Sequence, residues 1–270
     1  MNKNIYKIKS NHYSYSKINT FFNCPQRYKI IYIDKIKNNS ESIEAFMGKI
    51  VHSVLEWIFK ENINFQLFDT LVERYKLDWN NSWHKDIFIA KINLKKEFYY
   101  KLGIECLRNF YKNYHFSNNI KEFKTEFLVE TQFSDYVLKG VIDRLDIYED
   151  RIYINDYKTG KAISKKEHHN NLQLFIYFLA IQSQYPNKKI ILNWYYLRKK
   201  KNQIISLSYS KDDIERLMLI LKDKIKKIEL LVENNKFQAK ESLLCNWCYY
   251  WKECSEKKQY NFSNPSLRAL

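Results

Sequence analysis

Hydrophobic residues in the first part of the chain recur with the spacing of helices. Residues 14–32 are predicted to be helical, with Ser16 as the N-cap. The segment IEAFMGKIVHSVLEWIFK, residues 43–60, has a strong helical period, and a further helix-rich region runs from about 65 to 115. The N-terminal part of the chain is therefore predicted to be helical.

The pattern then changes to short β-rich runs separated by polar turns, which predict an antiparallel meander. These runs are TEFLVETQF, YVLKGVIDRLDIYE and RIYINDYK. The predicted elements that follow are a helix at 166–184, strands within 188–198 and 203–210, and a helix at 211–234. The predicted fold is a mixed α/β (α+β) architecture, in which a mixed sheet with a crossover helix is wrapped by helical segments from both ends of the chain.

The composition favours one folded domain. The chain has 270 residues, 45% of them hydrophobic and 17% aromatic, and it has only 4 glycines and 3 prolines. It has no internal repeat and no low-complexity tract that would mark a domain boundary. We expect a single domain made of an N-terminal helical part (14–120), a core (121–210) and a C-terminal part (211–270).

The formal charge of +16 favours a polyanionic partner such as nucleic acid. Part of the lysine excess is explained equally well by A/T-rich codons, and basic surfaces also serve anionic membranes or solubility. No run approaches the roughly 18 apolar residues of a membrane span, and the first residues lack the apolar segment of a secretory signal. We therefore expect a cytoplasmic protein in a reducing compartment, with no membrane partner.

Four of the five cysteines suggest a metal site. Cys245, Cys248 and Cys254 have the spacing Cys-x2-Cys-x5-Cys, which in a reducing compartment favours metal over disulfides. Cys24, which precedes a proline, is the candidate fourth ligand. Four thiolates suit iron–sulfur or zinc, and the alternative is that the cysteines are core residues. Cys106 lies in an amphipathic pattern and is interpreted as a core residue.

Two aspartates and a lysine stand out in neighbouring predicted strands. Phosphodiester hydrolysis needs a hard divalent cation, which one or two carboxylates can hold. Asp143 and Asp156 would supply such ligands, and the carbonyl of Tyr157 would add another. Lys158 falls on the same strand face as Asp156, where an ammonium group can orient water and stabilise transition-state charge. The alternative is that the aspartates are turn residues.

The order of motifs resembles the RecB-like branch of the PD-(D/E)XK nuclease superfamily, which includes Cas4 and the nuclease domain of AddB. The chain has FFNCPQRYKIIY, then GKIVHSVLE, GVID, DYKTG, QLFIY and the three C-terminal cysteines. The matching motifs span residues 15–254. Ile142 replaces the proline of the family name.

The resemblance implies roles for individual residues. His52 would be an additional metal ligand beside Asp143 and Asp156, and Lys158 would act on the attacking water. Gln173 and Tyr177 would hold the active site and the nucleic-acid backbone. Glu56 and Asp146 are candidate supporting residues. A [4Fe-4S] cluster would join the helical flanks through Cys24, Cys245, Cys248 and Cys254.

The implied function is a Mg²⁺- or Mn²⁺-dependent DNA nuclease, an exonuclease on single-stranded DNA in repair, recombination or CRISPR adaptation. The chain has no phosphate-binding loop of the ATPase type, so a helicase partner would unwind the duplex or the substrate would arrive single-stranded. The alternative is a non-catalytic iron–sulfur or zinc accessory subunit that binds nucleic acid.

Overall fold

The computed structural model describes residues 11–61, 67–91, 93–114 and 120–260. The strands are β1 (His12–Ser14), β2 (Glu41–Ser42), β3 (Ile87–Phe88), β4 (Glu122–Phe133), β5 (Tyr136–Ile147), β6 (Arg151–Lys158), β7 (Lys189–Tyr196) and β8 (Ile204–Leu207). The helices are α1 (Tyr15–Asn23), α2 (Pro25–Tyr28), α3 (Ile43–Lys60), α4 (Phe68–Ser82), α5 (Lys96–Asn113), α6 (Lys165–His169), α7 (Leu172–Gln184) and α8 (Lys211–Glu233).

The central sheet has the order β1-β5-β6-β7-β8, and β4 pairs with the long strand β5. Strands β4, β5 and β6 form the predicted antiparallel meander. Strand β7 pairs parallel to β6, so the chain crosses one face of the sheet through α6 and α7. The mixed sheet with a crossover helix is confirmed.

Apolar side chains cover both faces of the sheet and form two cores. One core packs α1, α7 and α8 against residues such as Ile154 and Trp194. The other packs α3, α4 and α5 against Tyr157 and Tyr195. Successive strand residues point to opposite faces, so neighbours such as Trp194 and Tyr195 serve different cores. The result is the predicted arrangement of helices around a mixed sheet.

The first helix departs from its prediction. Its N-cap is Ser14, whose hydroxyl accepts a 3.2 Å hydrogen bond from the Lys17 backbone, whereas Ser16 lies inside α1. The helix ends at Cys24, whose extended backbone precedes Pro25. After α2, the chain continues through a wider π-helical turn at Lys29–Ile33. The predicted continuous helix 14–32 is therefore wrong, because a residue before proline is disfavoured in helical geometry.

The predicted helix 166–184 is also interrupted. Helix α6 ends at His169, and the Asn171 side chain caps α7 by accepting a 3.1 Å hydrogen bond from the Leu174 backbone. In the helix-rich region 65–115, α4 and α5 are present with β3 between them, and residues 65, 66, 92 and 115 lie outside the described residues. Within the described ranges, no helix has the length and apolar character needed to cross a bilayer.

Candidate active site

The polar site forms where the strands of the meander separate. The last paired residues of β5 and β6 in this direction are Arg144 and Asn155, so Asp143 and Asp156 lie just beyond the regular pairing. On the other side of β5, pairing with β4 skips Asp143 and Glu126, which lie opposite each other. Glu126 has a φ of 45°, a left-handed conformation uncommon for residues other than glycine. Three carboxylates therefore lie at one opening in the sheet.

His52, Glu126 and Asp143 form the tightest of these groupings. One ligand atom from each lies within 4.8 Å of the others, and within the described residues they form a group that could hold a metal ion. His52 Nδ1 lies 3.4 Å from Asp143 Oδ1. An imidazole and two carboxylates are suitable donors for a divalent cation. They lie in an open cleft of about 450 Å³, which Glu44 and Glu56 also line. We call it the acidic cleft.

The backbone of Tyr157 holds two of these side chains. Its N–H donates a 2.6 Å hydrogen bond to Asp143 Oδ2, and its carbonyl oxygen lies 3.1 Å from His52 Nε2. Because a carbonyl can only accept, this contact requires the proton on Nε2, which leaves Nδ1 free on the side of Asp143. Metal-ligating histidines commonly donate their other N–H to a carbonyl. The Tyr157 carbonyl, which the sequence suggested as a metal ligand, is thus in contact with the histidine.

Lys158 forms a second cluster with Asp156 and the start of α7. Its Nζ lies 2.6 Å from Asp156 Oδ2 and donates a 2.9 Å hydrogen bond to Gln173 Oε1. The Gln173 amide donates in turn to the Tyr177 hydroxyl at 3.1 Å. The structure therefore brings Asp156, Lys158, Gln173 and Tyr177 together beside Asp143. Asp156 does not belong to the compact His52 group among the described residues.

At two glycines of the motifs, a larger side chain would come too close to a neighbouring element. A Cβ on Gly140 would lie 2.4 Å from the Tyr177 ring, which occupies that space. A Cβ on Gly48, one turn before His52, would lie 3.2 Å from the Thr159 hydroxyl. Gly140 thus admits α7 to β5, and Gly48 admits α3 to the segment after Lys158. The small residues set the distances between the site's elements.

Burial and neighbouring charges shift the proton affinities of the site. Burial raises the pKa of Asp156 and Asp143 raises it further, while Lys158 opposes the shift. Burial lowers the pKa of His52, but Asp143, Asp156 and Glu126 together outweigh burial, and the net pKa is raised. Burial and then Asp143 raise the pKa of Glu126. Carboxylates that repel one another in this way favour a bound cation.

A buried arginine of β5 supports the site from the core that α3, α4 and α5 form against the sheet. Arg144 is fully buried, and it donates hydrogen bonds to the Tyr157 hydroxyl at 2.7 Å and to Asp146 at 3.0 Å. Asp146 also accepts a 2.9 Å hydrogen bond from Asn155. The guanidinium group packs against Phe59 at 4.3 Å from the ring centroid. The candidate supporting residue Asp146 therefore lies within this network, whereas Glu56 lines the acidic cleft.

The four cysteines of the predicted cluster line one small cavity. Cys24 at the end of α1 lies there with Cys245, Cys248 and Cys254. Burial raises the pKa of Cys248, and Cys24 and Cys245 contribute to the shift. At this cavity, the side-chain amide of Gln26 in α2 donates a 3.2 Å hydrogen bond to the backbone carbonyl of Glu253 in the C-terminal segment. Cys106 is fully buried in the core between α3, α4 and α5.

Sequence reasoning missed Glu126 and Arg144. Glu126 and Glu130 are both exposed residues of β4 with one apolar neighbour and one threonine neighbour, so nothing local distinguishes the two. The distinction depends on the register that places Glu126 opposite Asp143. Arg144 lies in a strand between the apolar residues Ile142 and Leu145 and two residues before the charge-complementary Asp146, which was the available signal of a buried ion pair.

Comparison with known proteins agrees with this geometry. A candidate exonuclease of known crystal structure from Eubacterium rectale is similar in fold, with a TM-score of 0.54 and 11% identity, over 97% of this chain and 93% of that one. No curated protein sequence gives a significant match. The model of the PD-(D/E)XK nuclease superfamily matches residues 12–255. The chain therefore belongs to the PD-(D/E)XK nuclease superfamily.

Proposed function

We propose that the protein is a divalent-metal-dependent deoxyribonuclease that degrades single-stranded DNA from an end. Nucleases of this superfamily typically use Mg²⁺ or Mn²⁺, and their substrate is nucleic acid. The observation that carries the proposal is the position of Lys158 beside Asp156, next to the His52, Glu126 and Asp143 group. The exonuclease assignment of the Eubacterium rectale protein is consistent with attack from an end.

His52, Asp143, Asp156 and Glu126 would hold the cation. A bound cation supplies Lewis acidity, which polarises the phosphate and lowers the pKa of the attacking water. The net negative charge of the acidic cleft attracts the cation, and the Tyr157 backbone fixes the ligand orientations.

The Lys158 ammonium would orient the attacking water and stabilise the negative charge that grows on the phosphate oxygens. Burial lowers the pKa of Lys158, but the charge and hydrogen bond of Asp156 together with the charge of Asp143 raise it on balance, so the group stays protonated. Gln173 accepts from Lys158 and limits its rotation, while Tyr177 holds the Gln173 amide. The ammonium is thereby kept in place before substrate arrives.

We further propose that the protein belongs to the RecB-like branch with Cas4 and AddB, and that the four cysteines bind a [4Fe-4S] cluster. Their convergence on one cavity supports this, because the donor set suits iron–sulfur or zinc. The cluster would fasten the end of α1 to the C-terminal segment, so that 14–120, 121–210 and 211–270 act as one domain. Closing so long a loop restricts the unfolded chain.

The cysteine proposal is tested with Cys248→Ala and the matched control Cys106→Ala. After anaerobic purification, we expect Cys248→Ala to lose iron, sulfide and visible absorption together with stability. Cys106→Ala should keep the metal, although its cavity costs stability. Zinc in the wild-type protein, or full stability in an iron-free Cys248→Ala variant, would contradict the proposal.

The nuclease proposal is tested by anaerobic digestion of three DNA substrates with Mg²⁺ or Mn²⁺. These are end-labelled linear single strands, circular single strands and blunt duplexes, each offered to wild type and Asp156→Ala. We expect only wild type to cut, and only the linear single strand to be degraded. Binding without cleavage by either protein would favour the non-catalytic accessory role.

The biological setting follows from the same proposal. These 270 residues contain no ATPase-type phosphate-binding loop, so single strands would be delivered to them by a helicase or by a pathway such as repair, recombination or CRISPR adaptation. Affinity purification from the native host should recover such a partner. Wild-type activity in isolation on duplex DNA would remove the need for one.

A further inference from the structure

A second cleft lies beside α1 and α8, whereas the acidic cleft lies beside α3. It has a volume of about 450 Å³ and lies between α1, the start of α6 and α7, and α8. Leu172 lines it, and the next residue, Gln173, is the hydrogen-bond acceptor of Lys158. Tyr15 also lines it, and it lies near enough to Lys158 and Asp156 for both charges to act on the pKa of its hydroxyl group. The cleft therefore adjoins the catalytic lysine.

The charges of the two clefts are opposite. The acidic cleft contains Glu44, Glu56, Glu126 and Asp143 against the single cation Lys49 and the His52 imidazole. The second cleft contains Lys166 and Lys224 against Glu167. The Glu167 carboxylate accepts a 2.7 Å hydrogen bond from the Ser164 backbone and keeps its charge, so these three side chains leave the cleft with one net positive charge. We call the second cleft the basic cleft.

The other side chains that line the basic cleft offer contacts for both the phosphate and the base of a nucleotide. Lys224 is half-buried and is held 3.7 Å from the centroid of the Phe22 ring, so its ammonium is fixed in place. The amides of Asn19 and Asn170 line the cleft beside it, and Arg216 donates a 2.5 Å hydrogen bond to Asn170. Tyr15 and Phe22 provide aromatic surface. Grooves that bind single strands combine cations with aromatic side chains in this way.

We propose that the basic cleft binds the segment of a single nucleic-acid strand that lies next to the bond to be cut. The strand then places one phosphate at Lys158, while the acidic cleft remains for the cation. The volume is that of a small-ligand site, about 300–1,000 Å³, which accommodates a few nucleotides of one strand at most. This inference deepens the proposed nuclease function. It rests on that function, because the nuclease proposal is the reason that the bound strand should lead to Lys158.

The test compares two double variants that remove the same charge. Lys166→Gln/Lys224→Gln alters the basic cleft, and Lys222→Gln/Lys226→Gln alters exposed lysines of α8 that do not line it. Affinity for a fluorescent 20-nucleotide thymidine oligomer is measured by anisotropy in EDTA over a range of salt concentrations. Cleavage is absent under these conditions, so the result does not depend on catalysis.

We expect the cleft variant to bind about 10-fold more weakly, and its plot of log affinity against log salt to be shallower by about 1.4, for two phosphate contacts on a single strand. The control variant should bind within about 2-fold of wild type. Equal weakening of both variants, or of neither, would overturn the proposal. So would equal competition by a 20-base-pair duplex or by polyglutamate.

A second measurement separates the cleft from the catalytic centre. Bis(p-nitrophenyl) phosphate is too small to span the cleft, so the cleft variant should lose far more activity on the 20-nucleotide strand than on this substrate with Mn²⁺. If wild type fails to hydrolyse it while the binding difference persists, the nuclease proposal fails and the cleft proposal stands. If hydrolysis falls together with binding in the cleft variant alone, the substitutions have disturbed the centre itself and the separate role of the cleft is refuted.

Discussion

The backbone N–H of Tyr157 donates a 2.6 Å hydrogen bond to the carboxylate of Asp143, across the point where β5 and β6 separate. The carbonyl of the same residue contacts His52. One residue of β6 therefore orients a carboxylate from β5 and an imidazole from α3. A rigid strand is a precise support for such a site, because its own hydrogen bonds to β7 fix its position.

Glu126→Gln should weaken metal binding. Removal of one carboxylate from the His52 group lowers the charge that holds the cation, so the Mg²⁺ concentration for half-maximal activity should rise about 10-fold. Calorimetric titration with Mn²⁺ measures the same change directly. Glu130→Gln is the matched control on β4, since Glu130 is exposed and pairs with Lys139 at 3.2 Å. Unchanged metal affinity in Glu126→Gln would show that this carboxylate is not a ligand.

Gly140→Ala should damage activity and stability together. The added methyl group would lie 2.4 Å from the Tyr177 ring, which must move and release Gln173. We expect a fall in kcat of about 10-fold or more and a loss of about 1–3 kcal/mol in the free energy of unfolding. Gly160→Ala is the control, because among the described residues, apart from its chain neighbours, no atom lies within 4 Å of its added Cβ. Equal effects of the two substitutions would refute the role assigned to the close approach.

Metal affinity should depend on pH through Asp156. Burial raises the pKa of this carboxyl group to about 6 despite the opposing charge of Lys158. Below pH 6 a cation must displace a proton from Asp156 and another from His52, whose pKa is also raised, so the Kd for Mn²⁺ should rise by more than about 10-fold for each further unit of pH decrease. Asp156→Asn should bind more weakly and with a shallower dependence. A Kd that is constant between pH 5 and 7 would contradict the prediction.

The same shift makes metal-free stability depend on pH. The folded protein binds the proton of Asp156 more tightly than the unfolded chain, whose aspartates titrate near about 3.9. This contribution to stability is present below pH 4 and is lost as the pH rises through about 6. Subtracting the urea-unfolding profile of Asp156→Asn from that of metal-free wild type should reveal it. A difference of the opposite sign would show that Lys158 outweighs burial.

Arg144→Met should be strongly destabilising. It leaves the Asp146 carboxylate buried with Asn155 as its one remaining hydrogen-bond donor among the described residues, and loss of one member of a buried ion pair costs about 3–5 kcal/mol. Arg144→Met/Asp146→Leu should recover much of that loss. Arg151→Met is the exposed control, because Arg151 pairs with its neighbour Asp150 at the surface, and it should change stability far less than Arg144→Met does. Urea unfolding measures all three variants.

The sequence was sufficient to predict the meander and the convergence of Asp143, Asp156 and Lys158. Strand alternation and motif order carry that information locally, and the helix 43–60 was predicted with its observed ends because its caps and apolar face agree. The helix breaks at Cys24 and Asn171 were missed because apolar residues continue the helical pattern across them. A capping asparagine and a residue before proline override such a pattern.

The position of Glu126 required the three-dimensional structure. Its place beside Asp143 depends on cross-strand register and on a left-handed backbone conformation, and a single sequence shows neither. The contact between the Tyr157 carbonyl and His52 likewise depends on how α3 packs against the end of β6. Both features arise from packing between distant segments, which local patterns do not encode.

The most direct test of the account counts bound Mn²⁺ and measures DNA cleavage in the same anaerobic samples. Electron paramagnetic resonance gives the bound metal, and an end-labelled linear single strand reports cleavage, for wild type and Asp143→Asn. The account predicts that wild type binds Mn²⁺ and cuts, and that Asp143→Asn loses both. Cleavage that survives in Asp143→Asn, or that proceeds in wild type without bound metal, would contradict a metal-dependent nuclease centred on Asp143.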